Sequence, residues 1–351
     1  MNIKKSSQKI TPVWFRKCSA DNNIIISSRI RLARNFSDLR FPAEASLEEK
    51  EQVLARVKGF SEQYKSNRFK FMLLKNNGAI SRLVLAELGL ISVSSVSKPN
   101  KLGLLTQTNR QLSLLLNEED HLRIQVMSEG GNLEPALNLA KTLDKELNKK
   151  FTLACHPDFD FLTACPTNVG TGLRASVMFH LPALSLKRKI AEVLQAVLQM
   201  GLAVRGFYGE GTELRSVFFQ ISNQMTLGRS EMEIIKHLQG LTKQILDREK
   251  DAREKLLKED KCRLEDKVGR AIGILKGCKM LNLEEAFDLL STVILGVETG
   301  VLKKISRQKL RETLLLIQPA HLQLWVGEEL NFEDQMLKRA EIISQHLNLY
   351  K

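Results

Sequence analysis

Residues 23–34 read Asn-Ile-Ile-Ile-Ser-Ser-Arg-Ile-Arg-Leu-Ala-Arg. The apolar run from Asn23 to Ile26 is β-type, and the two-residue strand period carried through it sets Arg29 and Arg31 on one face and Ile30 toward a core. Working outward, Leu112 to Met127 reads as two strands around a polar Asn117-Glu118-Glu119-Asp120-His121 corner. Phe151 to Leu162 is extended, and Ala203 to Tyr208 returns to strand. Apolar residues at helical spacing fill Leu47 to Tyr64, Asn132 to Leu147 and Leu186 to Met200. Some strands are hairpin-paired while helices separate others. The expected class is therefore α/β (α+β), a mixed, largely antiparallel sheet flanked by helices.

The texture changes near residue 230. Ser230-Glu231-Met232-Glu233 is a capping-box pattern that opens a long helix. Arg248 to Lys267 mixes charges of both signs with sparse apolar positions, which predicts a solvated helix face laced with i,i+4 pairs. Helical stretches follow at Leu283 to Leu295, Arg307 to Ile317 and Phe332 to Leu349. The reading divides the chain into residues 1–235 and an all-helical unit at 236–351.

The chain has 351 residues with a formal net charge of +13, so an anionic partner is expected. Nucleic acid is a weak candidate: aromatics are 6% of the chain, and no reading motif interleaves them with the basic residues. Neither an apolar leader nor a membrane-length apolar run occurs, which predicts a cytoplasmic protein with no membrane partner. The five cysteines are scattered, without the paired spacing of a disulfide framework or structural zinc, so no metal site is expected.

The common phosphate cradles, Walker-type and dinucleotide glycine loops, are missing. Arginines recur instead beside small or turn residues: Arg29 and Arg31, Arg123, Arg174 in Leu173-Arg174-Ala175-Ser176, and Arg205 before Gly206. Each presents fixed donors suited to phosphoryl oxygens, although singly each also fits a solvated surface position. Two acidic corners accompany them. Glu119 precedes Arg123 by four residues, and Glu210 follows Arg205 by five. They suit a cationic co-substrate brought to a phosphoryl group, or simply salt bridges to those arginines. Cys165 opens the glycine-punctuated stretch from Cys165 to Arg174, a placement fit for lining a site.

Taken together, Ser27 to Arg31, Asn117 to Arg123, Cys165 to Ser176 and Arg205 to Glu213 resemble the phosphagen (ATP:guanidino) kinase family. The stretches Arg174 to Leu184 and Gln220 to Gly228 are similar to its bacterial protein-arginine kinase branch, as is the early position of the Ser27-Ser28-Arg29 motif. The small-molecule kinases place a helical domain before that motif.

The resemblance implies ATP-dependent phosphorylation of arginine side chains in proteins, with Mg²⁺ bound along with the nucleotide. It assigns nucleotide binding to Ser27, Ser28, Arg29, Ile30, Arg31, Arg123, Arg174, Ala175, Ser176, Val177, Met178, Arg205, Gly206, Phe207, Tyr208 and Gly209. Catalytic roles fall to Glu119 and Glu210 at the guanidinium and to Cys165 near the reacting nitrogen. It also implies protein substrates carrying arginine, a zinc-binding activator protein, a heat-shock repressor and a Clp-type protease as partners, a homodimer, and a role in stress response.

Three departures stand out. Gly89 occupies the family's place for an adenine-stacking histidine, Leu214 to Val217 replaces a small Ala-x-Gly run, and Glu333 to Ala340 lacks the leading arginine of a phosphoarginine-recognition motif. Kinase action on a free guanidino compound, or an adaptor that feeds a protease, stay open as alternatives.

Overall fold

Strand β1 (Ile25–Arg34) lies inside the sheet, bonded antiparallel on both edges. The computed structural model describes residues 11–16, 24–64, 69–206 and 217–349. Around β1 run α1 (Val13–Arg16), α2 (Leu47–Gln63), β2 (Phe69–Leu73), α3 (Ala79–Glu87), α4 (Val93–Ser97), β3 (Gly103–Gln107), β4 (Leu112–Leu116) and β5 (Leu122–Glu129). Next come α5 (Leu133–Lys150), a short hairpin of β6 (Cys155–His156) and β7 (Asp160–Phe161), β8 (Leu173–His180), α6 (Pro182–Leu186), α7 (Ile190–Gln199), β9 (Leu202–Gly206) and β10 (Phe218–Asn223). The chain ends in α8 (Glu231–Glu259), α9 (Lys261–Gly277), α10 (Leu283–Glu298), α11 (Arg307–Leu316), α12 (Pro319–Val326) and α13 (Phe332–His346).

Eight strands form one sheet in the order β2-β3-β4-β5-β1-β8-β10-β9. Every ladder in it is antiparallel, so the parallel component of the expected mixed sheet does not occur among the described strands. Alternation gives the two faces opposite chemistry. One presents buried Ile30, Leu32, Ile124 and Val126 to α5, whose Leu133, Leu137, Ala140, Leu143 and Leu147 recur at helical spacing, and buried Ala175, Val177 and Ile221 to α8. The other carries the arginines.

Arg34, the third arginine of the opening stretch, falls on the core side and is fully buried. Asp144 on α5 grips it bidentately at 2.9 and 2.8 Å, it donates to the carbonyls of Ala33 and Thr171, and its guanidinium lies 3.6 Å from the Phe161 ring centre.

Ser230 does cap α8 as a capping box, and α8 runs on across residue 235 with Ile234, Ile235, Leu238 and Ile245 in the core beneath the sheet. The solvated face expected over Arg248 to Lys267 fails at one pair. Glu249 and Arg253 are buried and bonded at 2.9 Å, because the Glu249 carboxylate also accepts the Ala183 and Leu184 N–H groups at the start of α6. Burial pushes the Glu249 carboxyl upward despite those donors. The predicted helix from Leu186 to Met200 is broken at Arg188, whose φ of 56° ends α6 before α7 begins. Arg339, near the end of the Glu333 to Ala340 stretch, is buried and braces the C-terminal helices by donating to Ile317 O (2.9 Å) and Leu281 O (3.0 Å).

Candidate active site

Register gathers the arginines. Arg31 lies opposite Arg174 on β8 and Gln125 on β5, and Arg29 opposite Ser176 and Met127. Arg123 faces Ala33, and Arg205 faces Gln220, which itself faces Met178. Residues paired across a ladder share a face, so five arginines from four strands project from one surface. Arg29, Arg31, Arg123 and Arg205 line a cavity of about 400 Å³ with Ser27, Ser176, Met178 and Gln220, while Arg174 lies beside it and donates to Ser222 Oγ at 3.3 Å. Ser28, Ile30, Ala175 and Val177, which the resemblance assigned to the nucleotide, turn the other way. Their side chains are buried on the opposite face, and Ser28 Oγ donates to Gly130 O. This is a correction imposed by the strand period.

The electrostatics of the surface are those of an anion site. Burial and then repulsion from Arg123, Arg174 and Arg205 push the Arg29 guanidinium down to about 10. Arg31 is driven well below its ordinary value by burial and by the same neighbours together with Arg29. Among the described residues neither arginine sits in an ion pair.

At one end of the cavity stands the acidic corner. Asn117, in the left-handed region at φ 59°, starts the turn, its N–H bonded to His121 O, and Arg123 pairs with Glu118 and, at 3.7 Å, with Glu119. The Glu119 side chain is 44% exposed and so is open to an incoming group. Asp120 points inward, accepting from Asn35 Nδ2 and from the Ala164 N–H, both at 2.7 Å. That second bond ties the Glu119 corner to the loop carrying Cys165, whose Sγ lies 3.0 Å from Thr167 Oγ1. His121 is buried, accepts the Phe36 N–H at Nδ1 and reaches Arg40 O from Nε2 at 2.9 Å, a fully used neutral imidazole. Gly206 closes β9. Phe207, Tyr208, Gly209 and Glu210 lie outside the described residues.

Of the far wall, sequence reasoning singled out only Gly89. Trp14 and Phe15 of α1, Glu87 to Ile91 from the end of α3 onward, and Leu315 and Gln318 around α11 line the same cavity. No local pattern links residue 318 to residue 29. Gly89 has φ +69° and accepts from Gln125 Nε2 at 2.7 Å, and a Cβ there would come 3.7 Å from Arg29 Nη1.

Residues 50–252 match the ATP:guanido phosphotransferase C-terminal catalytic domain, and residues 261–351 match the C-terminal domain of the protein-arginine kinase McsB. Among curated relatives, the protein-arginine kinase of Bacillus subtilis is 41% identical over 99% of this chain and 97% of its own length. That of Halothermothrix orenii is 41% identical over 99% and 100%. Among solved structures, lombricine kinase superposes with a TM-score of 0.57 at 25% identity, covering 70% of each chain. The duplicated taurocyamine kinase of Schistosoma mansoni superposes with a TM-score of 0.57 at 21% identity, covering 72% of this chain and 39% of its own.

Proposed function

The chain belongs to the ATP:guanido phosphotransferase family and phosphorylates arginine side chains in proteins at the expense of ATP; we propose that the arginine face of the sheet binds the phosphates and the Glu119 corner the acceptor. The observation that carries this reading is a surface where Arg29, Arg31, Arg123 and Arg205 share a cavity and repel one another, next to an exposed carboxylate.

Phosphoryl transfer requires in-line positioning and positive charge around the equatorial oxygens. The arginines provide both, in fixed directions set by the strand register. The acceptor guanidinium is protonated at neutral pH and cannot attack in that form. Glu119 aligns it and takes the proton as the N–P bond forms and the bond from the γ-phosphorus to the ADP oxygen breaks. Glu210 is assigned as its second carboxylate and Cys165 as a neighbour of the reacting nitrogen. Mg²⁺ carried on the nucleotide would add positive charge at the phosphates. The residues present fit a nucleotide-borne ion, since the cavity's arginines are hydrogen-bond donors that cannot ligate a cation and would meet the phosphate oxygens the ion leaves free.

No helix among the described residues is long and apolar enough to cross a membrane. A cytoplasmic role in stress response, with a zinc-binding activator, a heat-shock repressor and a Clp-type protease as partners and a homodimeric assembly, is part of the same proposal.

Incubation with ATP, Mg²⁺ and a basic protein is expected to yield acid-labile phosphoarginine. Glu119→Gln should cut the rate by about 100- to 1000-fold while ATP still binds. ATP binding by the wild-type protein without turnover would favour the adaptor alternative. Equal turnover of free arginine would point to a small-molecule kinase.

A further inference from the structure

We propose that Glu87 is a positioning residue through which the C-terminal helices set the affinity of the cavity for ATP. The inference rests on reading that cavity as the ATP site.

Glu87 is the last residue of α3 and an acidic residue lining the cavity. Its carboxylate is turned away from the arginines. Oε1 accepts the Ala320 N–H at 2.7 Å, while Oε2 accepts the His321 N–H at 3.0 Å and His321 Nδ1 at 2.5 Å. These three donors belong to the N-terminus of α12 and a fully buried imidazole, so the carboxylate is fixed from two directions and its charge complements the helix dipole. The chain leaving Glu87 forms the turn that ends at Gly89, whose carbonyl is held by Gln125 and where an added Cβ would stand 3.7 Å from Arg29 Nη1. A second anchor lies on the opposite side of the same wall. Arg311 of α11 donates to Ile26 O at 2.5 Å and stands 5.2 Å from the Phe15 ring centre, and Ile26 and Phe15 both line the cavity. Between the two anchors, Leu315 and Gln318 form part of the lining themselves.

The C-terminal helices therefore complete the wall next to Arg29, and releasing Glu87 frees the turn that fixes the distance from wall to arginine. Ligand affinity and docking of these helices are then reciprocally linked. A ligand that grips the formed wall tightens the hold of α12 on Glu87, and whatever frees Glu87 from α12 weakens the ligand.

The test uses the full chain, with ATP binding measured calorimetrically well below the unfolding temperature, together with steady-state phosphorylation of a basic protein. Glu87→Ala is expected to raise the ATP Kd at least fivefold, with kcat at saturating ATP and KM for the protein substrate within twofold of wild type. Glu87→Gln, which retains one carbonyl acceptor, should fall between. Asn282→Ala removes the cap of α10, where Oδ1 accepts the Glu285 N–H at 2.8 Å, and so loosens the helices away from this wall. It should lower the unfolding temperature and leave the ATP Kd unchanged. An ATP Kd within twofold of wild type in Glu87→Ala overturns the proposal, as does an equal loss of affinity in Asn282→Ala. Absence of ATP binding in the wild-type protein overturns the nucleotide reading itself.

Discussion

Removing one charge from the arginine face should stabilise the nucleotide-free protein while destroying its response to ATP. In Arg29→Met the stem volume is retained and the charge is lost. Burial and its arginine neighbours push the Arg29 guanidinium down to about 10, well below its ordinary range. A displacement of that size corresponds to about 3 kcal/mol of unfavourable burial and repulsion, and solvent screening and side-chain relaxation at a partly exposed site leave about 1 kcal/mol.

The sign follows from the direction of the shift. Below about pH 10 the group is charged in both folded and unfolded chains, so the penalty is constant there and is relieved only as pH rises above about 10. At pH 7 it can be removed only by substitution or by an anion. The variant should therefore melt about 2 °C above wild type without nucleotide. With ATP at about 100 times Kd, wild type should gain roughly 2.7 kcal/mol and the variant far less, so the order reverses. Added salt should raise the wild-type melting temperature more than that of the variant. Differential scanning fluorimetry with and without ATP is sufficient. A variant that melts below wild type in the absence of nucleotide, at every salt concentration, would refute the claim that the arginine face is a strained anion site.

Two further expectations concern stability. Burial lowers the His121 imidazole below its ordinary value, so the unfolded chain takes up a proton below about pH 6.5 that the folded chain does not, and stability should fall as pH drops from there. Urea midpoints between pH 7.5 and 5.5 should decline less steeply in His121→Gln; parallel curves would show that another group governs the acid limb. Gly172→Ala should cost about 2–4 kcal/mol, because a Cβ at φ +65° would sit 2.6 Å from both Ala33 O and Arg34 Nη1. Gly228→Ala, at φ +74° with nothing within 4 Å, should cost only about 1 kcal/mol. Equal losses at the two positions would mean that backbone conformation rather than the clash sets the penalty.

Local rules made part of this site legible. Strand alternation is enforced by sterics, so Arg29 and Arg31 had to share a face, and Ser230 with Glu233 had to start a helix wherever the helix packed. The same rule, applied strictly, would have excluded Ile30 and Val177 from the cavity. It would also have sent Arg34 to the core, where Asp144 waits 110 residues away. Glu249 and Arg253 looked like surface because i,i+4 charge pairs usually are, and only the arrival of Ala183 and Leu184 makes them interior. Asp120 was visible as part of a polar corner, but its bond to Ala164 was not, since nothing at either position announces the other. Glu87 is the extreme case: an ordinary helix-terminal glutamate in sequence, with its partners more than 230 residues downstream.

The position of β1 has a bearing on how this protein is made. The strand that carries Arg29 and Arg31 leaves the ribosome before the others in the sheet, yet its hydrogen-bonding partners, β5 and β8, extend to residues 129 and 180. A nascent chain shorter than that carries an open, apolar-backed strand edge. Such non-local pairing slows folding and leaves the growing polypeptide exposed to aggregation until the catalytic half is nearly complete. The arginine face thus forms late, so shortened translation products ending before β8 should be substrates for chaperones and proteases rather than weak kinases.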